Sequence, residues 1–298
     1  MSVALVIQGR AAPARLRRIA MFPIAFVLVA AVWEIYKNVG PEGGASLAGM
    51  RVLPRASDLA MPHVWEMFSR LTEPEVRGNP DSVMKVVASA TWYSFRVALA
   101  AFVIGTALGV VLAVAMARFR MVERALMPYV VLSQTVPIIV LGPLIMSLVG
   151  YASRDFATDY WLGALVLGVF LAFFPVALGT LRGLQSAQPS SLELMDSFAA
   201  GWWRTLFKLR FPAAVPFIAP ALRIAGASAV VGVIVSEISL GVPHGVGRKI
   251  LAYGQEASSD PAKMYVAVFG AAVLGLVMSV IVVAIDRRLM RHRPQEAS

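Results

Sequence analysis

The residue types that carry most enzymatic chemistry are sparse in this sequence and poorly spaced for it. Cysteine is absent, which removes thiolate nucleophiles, disulfides, cysteine-held zinc and iron–sulfur clusters. The three histidines, His63, His244 and His292, are scattered singly. No two stand at helical ligand spacing, so a haem or zinc held in a bundle is not expected, and each reads as a surface residue. Gly245-Val246-Gly247-Arg248-Lys249 is too short for a phosphate-cradling loop and runs on into Ile250 instead of Ser or Thr. No catalytic constellation is left. If this protein uses ATP, another chain hydrolyses it.

What remains is polar chemistry inside apolar surroundings. Ser133-Gln134-Thr135 stand just before Pro137 in an otherwise apolar stretch. Pro128, Pro137 and Pro143 share that stretch, Pro175 falls in the next, and Pro212, Pro216 and Pro220 recur every four residues. Proline removes a backbone donor and kinks a helix. In a membrane the freed carbonyls need protein or cavity water, so several broken helices would point to a bundle enclosing a path; structural kinking alone is the other reading. Arg96, Arg223 and Glu237 are charges at or within apolar stretches, where they are costly and need partners. Arg96 and Glu237 fall near the same outer edge and are expected to pair. Arg223, 12 residues past Phe211, lies roughly 18 Å along a helix. That puts it near mid-bilayer, either as an anion-attracting group in a pathway or as a structural arginine bonded to opened carbonyls.

The most informative segment runs from Ser191 to Pro212 and holds Glu193, Asp196, Ala199, Gly201, Trp202, Trp203, Leu206, Phe207, Leu209 and Phe211. Its pattern predicts two short helices joined near Ala200-Gly201. The apolar surface of the second is too large to leave in water, so it should dock into a partner or lie against the rest of the chain.

These residues must be positioned by membrane helices. Hydrophobic residues make up 58% of the 298-residue chain and charged residues only 15%, against roughly 45–50% and about 25% in soluble domains. Mean hydropathy is +0.73. The bilayer is the fitting solvent, and a secreted domain, a disordered chain and an ordinary cytosolic enzyme are disfavoured. Six stretches are long and apolar enough to span it: 19–36, 94–116, 125–149, 160–181, 211–235 and 264–285. The first begins like a signal peptide, but Trp33-Glu34-Ile35-Tyr36 does not resemble a small-residue cleavage site, so it reads as an uncleaved helix. Gly105 and Gly109 on the second span, and Ala271 and Gly275 on the sixth, have the spacing of close helix packing. In the long loop 37–93, Val64, Met67, Phe68 and Leu71 recur with helical period, and Asp81 is placed to cap a short helix leading into the second span.

The basic residues set the orientation. Arginines before the first span, Arg118, Arg120 and Arg124 after the second, Arg182, Arg204, Lys208 and Arg210 after the fourth, and the arginines after the sixth outweigh the acids beside them by the whole formal charge of +10. Basic and acidic residues of the opposite side cancel. By the positive-inside rule the basic face is cytoplasmic, with both termini on it. A charge spread over four short segments, with no recognition motif, argues against nucleic acid.

Here the sequence resembles the permease subunit of bacterial ABC importers, the binding-protein-dependent transport inner-membrane component. That family carries a cytoplasmic Glu-Ala-Ala, three residues, a Gly, and a Pro about a dozen residues on. Glu193 and Pro212 match its ends. Leu194 and Met195 replace the alanines and Ala199 the glycine, with Gly201 two positions later as a substitute for the turn. Arg96, Pro137 to Pro143, Phe174-Pro175, Leu181-Arg182-Gly183-Leu184, Ala221 to Ala225, Glu237 and Gly245-Val246-Gly247 also match. Leu53-Pro54 with Ser57-Asp58 resembles the nitrate, sulfonate and taurine subgroup, which includes importers of thiamine precursors and flavins. Coverage is about residues 50–290.

The resemblance implies an all-α polytopic protein: a cytoplasmic segment 1–18, a permease domain 19–285 with an outer loop 37–93 and a coupling loop 182–211, and a cytoplasmic tail 286–298. It implies a bacterial inner membrane, a second permease chain (the same or a close paralogue), two cytoplasmic ABC ATPases that bind the ATP, and an external solute-binding protein. No cofactor is expected in this chain. Glu193, Asp196, Ala199, Gly201, Trp202, Trp203, Phe207 and Pro212 would serve ATPase coupling. Arg96, Ser133, Gln134, Thr135, Pro137, Arg223 and Glu237 are the pathway or gate candidates. The competing reading is a secondary transporter driven by an ion gradient. Its hallmark acids near the midplane are not seen, since Glu34 and Glu237 both lie toward the outer edge. A membrane enzyme would need a convergent polar cluster, which is not visible.

Overall fold

The computed structural model describes residues 14–47, 50–76, 78, 80–133, 135–152, 160–240 and 242–290. Gln134, His292 and most of the two terminal segments therefore lie outside the described residues. The long helices are α1 (Ala14–Val39), α3 (Val83–Arg118), α6 (Tyr160–Gln185), α9 (Phe211–Ser239) and α11 (Pro261–Met290). Shorter ones are α2 (Val64–Ser69), α4 (Arg120–Leu132), α5 (Ile138–Ala152), α7 (Pro189–Ser197), α8 (Trp202–Thr205) and α10 (Val246–Gln255). A small antiparallel hairpin, β1 (Ala45–Leu47) with β2 (Met50–Leu53), is an exception to the all-α expectation and sits in the loop after α1.

Among the described residues four continuous helices are long and apolar enough to cross a membrane: Val83–Arg118, Trp161–Gln185, Trp202–Ser239 and Pro261–Met290. They match the second, fourth, fifth and sixth expected spans. The first corresponds to α1, whose 26 residues reach about 39 Å at 1.5 Å per residue. The third is not one helix: it breaks between α4 and α5 at residues 133–137. Pro137 has no N–H to continue the ladder and pushes the residue before it out of helical conformation. Pro128, Pro143, Pro175, Pro216 and Pro220, by contrast, lie inside unbroken helices. The expectation of several broken helices thus reduces to one break, plus the π-turn described below.

The centre of the bundle is α3, α6 and α9, and small residues make it possible. A Cβ at Gly105 would lie 2.8 Å from Ala172 Cβ, and at Gly109 2.7 Å from the Phe173 carbonyl, so this pair does bring α3 onto α6. Gly179 faces Ala221 and Gly183 faces Ala214, where an added Cβ would sit 2.4 and 2.7 Å from theirs. The second Gly-type pair behaves differently: a Cβ at Gly275 meets nothing within 4 Å. Among the described residues, helix α1 is tied in at its C-terminal end, where Trp33 donates to the Pro62 carbonyl (3.0 Å) and Lys37 to Asp58 (2.5 Å). Its Val27, Val29, Val32 and Ile35 face outward, as lipid contact requires. His63 is not a free surface residue: its Nδ1 lies 2.9 Å from a Glu34 oxygen and its ring stacks on Trp65.

Helix α3 needs no separate leading helix. It starts at Val83, with Ser82 as its cap accepting from the Lys85 N–H, while Asp81, expected to cap, pairs with the Lys85 ammonium at 2.6 Å.

At the end of the bundle away from the 182–211 loop, the loop after α2 is latched to α10. Glu75 accepts from Lys249 Nζ (2.8 Å) and from the hydroxyl of buried Tyr253 (2.7 Å). Burial works to raise the Glu75 pKa, but these bonds and the Lys249 and Lys263 charges outweigh it and hold the carboxyl below its ordinary value. Burial first, then the neighbouring Glu75, pushes the Tyr253 phenol well up. A depressed carboxyl stabilises the fold above its unfolded pKa and loses that contribution as pH falls through the folded value. A raised phenol stabilises below its unfolded value, about 10, and that contribution fades as pH rises beyond it. Amide exchange in α10 is therefore expected to accelerate as pH falls below about 4. Glu75→Gln should abolish that acid step; an unchanged acid step in the variant would remove Glu75 from the latch.

Candidate functional site

The segment after α6 folds into α7, a tight turn, and then a helix that does not stop. The second short helix expected after Gly201 is instead the beginning of one continuous helix, Trp202–Ser239. It passes through α8, a π-turn at Leu206–Arg210 and on into α9. Pro212 explains the π-turn. It cannot donate to the carbonyl four residues back, and the chain absorbs this by widening locally, with the Phe211 N–H reaching the Leu206 carbonyl. The loop is thereby continuous with a membrane helix.

The aromatic residues divide between two faces. Leu206 is fully buried, packed with Leu184 and Ala214, and Trp202 and Phe211 pack against this group. The Arg118 guanidinium lies 5.2 Å over the Trp202 ring. Trp203 and Phe207, one turn apart, face outward and are 62% and 63% exposed. Their rings stack at 6.2 Å, and Phe207 continues the row onto Phe211 at 5.7 Å. Inward residues thus anchor this stretch of helix, and Trp203 and Phe207 form its exposed face. On α7, which buries no residue, Leu194 (57% exposed) and Phe198 (71%) add a second apolar strip. From sequence Leu194 was noted only as a departure from the family motif and Phe198 was missed, although their spacing of four carries the signal. Glu193 and Asp196 are exposed on the same short helix.

The turn between the helices corrects one expectation. Ala199, not Gly201, takes the left-handed conformation, with φ 50°. The Ala200 N–H reaches the Met195 carbonyl (3.0 Å) and the Ala199 N–H that of Asp196 (2.9 Å), the two bonds of a Schellman cap. Gly201 has φ −62°, open to any residue, and caps α8 only through its carbonyl. Alanine in the left-handed region costs roughly 1 kcal/mol that glycine avoids. Ala199→Gly is therefore expected to raise thermal stability of the loop by about that amount, and Gly201→Ala to change little. The opposite ranking in a melting experiment would refute this turn geometry.

The pathway candidates are separated in space. Glu237 is fully buried and does not pair with Arg96. It accepts from Ser94 Oγ (2.6 Å) and from the Gly247 N–H (2.8 Å), while Ser94 accepts from the Val246 N–H (2.9 Å). Arg96 is exposed on the other side of α3; helical rotation of two residues separates it from Ser94. Sequence reasoning missed Ser94, a plain Ser in an apolar run. Gly245 (φ +116°) and Gly247 admit no side chain because Glu237 and the Ile234 carbonyl occupy that space. Arg223 is bonded to the Asp286 carboxylate, not to opened carbonyls, and is still 57% exposed. At the break in the third span, Ser133 and Thr135 hydroxyls turn back onto the carbonyls of Val130 and Leu132, each at 2.8 Å, and Pro137 is exposed.

A bundle of apolar helices, four of them long and apolar enough to cross a membrane among the described residues, defines a multi-pass membrane protein. Among the described residues no group of acids and histidines is placed to hold a metal ion. Residues 105–291 match the family described as binding-protein-dependent transport system inner membrane component, and the chain belongs to that family. Its members are transport proteins, not enzymes, and ATP is bound by partner ATPases. The chain is 28% identical over 193 residues to a probable ABC transporter permease protein of Haemophilus influenzae, covering 62% of this chain and 75% of that one. It is 31% identical over 193 residues to the formylaminopyrimidine transport permease protein ThiX of Halalkalibacterium halodurans (62% and 74%). With a putative aliphatic sulfonates transport permease protein, SsuC, of Bacillus subtilis it shares 26% over 199 residues (67% and 68%).

Proposed function

We propose that this chain is the permease subunit of an ATP-driven importer in a bacterial inner membrane. Two permease copies, or this chain and a close paralogue, enclose the solute path. Two cytoplasmic ATPases grip the loop 191–212, and an external binding protein delivers the solute. The observation that carries this reading is the exposed Trp203–Phe207 row on a helix continuous with α9. Closure of the ATPases would move that row and, through the unbroken helix, the membrane core. Each state of the cycle then differs in contacts that ATP binding selects. Glu193, Asp196, Leu194 and Phe198 supply the second wall of the docking element, with Ala199 setting the angle between the walls. The orientation follows from the basic face: six crossings with both termini cytoplasmic. A small anion such as nitrate, a sulfonate or taurine, or a thiamine-precursor or flavin-type solute, fits the relatives named for formylaminopyrimidine and sulfonate transport. Among the described pathway candidates, Arg96, Thr135, Pro137 and Arg223 are the groups presented outward.

Co-expression with candidate ABC ATPases tests the reading. The wild-type chain should co-purify with its ATPase. Glu193→Ala combined with Trp203→Ala should insert normally, lose most of the bound ATPase and abolish transport. Normal transport by that double variant would take the loop out of the mechanism.

A further inference from the structure

A cleft of about 1140 Å³ opens between α4, the end of α6 and the π-turn, on the basic side of the bundle. Arg120, Arg124 and Arg210 line it, with Glu123 and Gln185, and the Val131–Leu132 end of α4 forms an apolar wall. The charge in it is unbalanced. The one carboxylate, Glu123, accepts from the Gln185 amide at 3.0 Å and pairs with none of the three arginines among the described residues. Arg120 and Arg124 stand one helical turn apart, where like charges repel, and neither makes an ion pair among the described residues. Arg210 spends one nitrogen on the Leu184 carbonyl (3.2 Å), and its Nε is enclosed by the protein with no hydrogen-bond partner among the described residues. Basic residues scattered along one face need no ligand; three that converge on one concavity, with none of them in an ion pair among the described residues, have the makings of a site.

We propose that this cleft binds a tetrahedral oxyanion between Arg120 and Arg124 of α4 and Arg210 of the π-turn. The anion is a phosphate or sulfonate group, carried on a phospholipid headgroup or free in solution. Guanidinium forks match such oxygens bidentately, and the apolar end of α4 suits the chain of a lipid. Because Arg210 lies three residues beyond Phe207, an occupant would fasten α4 to the base of the aromatic lever. The proposal rests on the fold and not on the importer reading, and the test is made on the full purified chain without ATPase.

Thermal stability is measured in detergent with inorganic sulfate or phosphate, and in nanodiscs of phosphatidylcholine with or without phosphatidylglycerol. Native mass spectrometry reads retained lipid. Stabilisation by millimolar sulfate or phosphate identifies a free oxyanion; retention and stabilisation confined to phosphatidylglycerol identify a headgroup. In either case Arg120→Gln with Arg124→Gln should weaken binding at least tenfold. Arg287→Gln with Arg288→Gln, which removes the same charge from the same side outside the cleft, should leave it unchanged. Should the first pair fail to fold, Arg210→Lys keeps the charge but loses the fork, and is expected to weaken binding about tenfold. No stabilisation by either source, or equal losses in the cleft and control variants, overturns the proposal.

Discussion

Trp203→Ala combined with Phe207→Ala is expected to yield a chain that inserts and melts like the wild type yet no longer holds its ATPase. The two parts of this result have separate causes. Both side chains are more than three-fifths exposed, so truncating them removes little packing from the chain itself. Their neighbours on the inward face, Leu206 and Trp202, continue to anchor the lever on Leu184 and Ala214. At a docking interface the same two rings would be central aromatic anchors, each worth about 2 kcal/mol or more when truncated. That is roughly 30-fold in affinity per residue at 1.4 kcal/mol per decade, and near 10³-fold for the pair if the losses add. Leu206→Ala is the counterpart. It should lower thermal stability by about 2–5 kcal/mol, as large-to-small core changes do, and weaken ATPase binding only through that loss. If the double surface variant bound ATPase within a factor of three of wild type, these rings would not be the docking surface.

Gly245→Ala is the second large effect, and it acts on the fold at the other end of the same helix. Its φ of +116° is a conformation that side chains rarely adopt, and a methyl group there would lie 2.3 Å from the Glu237 carboxylate. That carboxylate cannot step aside, because it holds the Ser94 hydroxyl and the Gly247 N–H. Relief would require breaking buried hydrogen bonds, at about 1–3 kcal/mol for each group left unmet, on top of backbone strain of about 1–3 kcal/mol. Little folded protein should be recovered from membranes. Gly275→Ala, made where an added methyl meets nothing within 4 Å, should be recovered in full. Equal yields of the two would show that Glu237 and Gly245 are not locked together.

The membrane class and the positions of four crossing helices were legible because bilayer-spanning runs of apolar residues are a one-dimensional signal. The break at 133–137 was half legible: Pro137 marked it, but five other prolines of the same kind sit in helices that stay whole. A proline's freed carbonyl can be absorbed locally, and that depends on neighbours the sequence does not order. The fate of the charges was least legible. Arg96 and Glu237 share an edge of the bundle, yet two residues of rotation turn one outward while Ser94 takes the other. Asp286 read as a tail residue, and the continuation of α11 to Met290 is what brings it against Arg223. In the 182–211 loop, a turn near Ala200-Gly201 between two helical stretches was readable. The turn residue was not, because a left-handed alanine contradicts the glycine preference on which such a reading relies.

Whether ATP drives solute through this chain by way of the 191–212 loop can be read from uptake into proteoliposomes. They would hold the permease with its co-purified ATPase, with the binding protein outside and ATP enclosed. Uptake is predicted to require both ATP and binding protein, to persist when proton and sodium gradients are collapsed, and to vanish in Trp203→Ala with Phe207→Ala. Uptake that continued without ATP and stopped on collapsing the gradients would contradict the account and mark the chain as a secondary transporter.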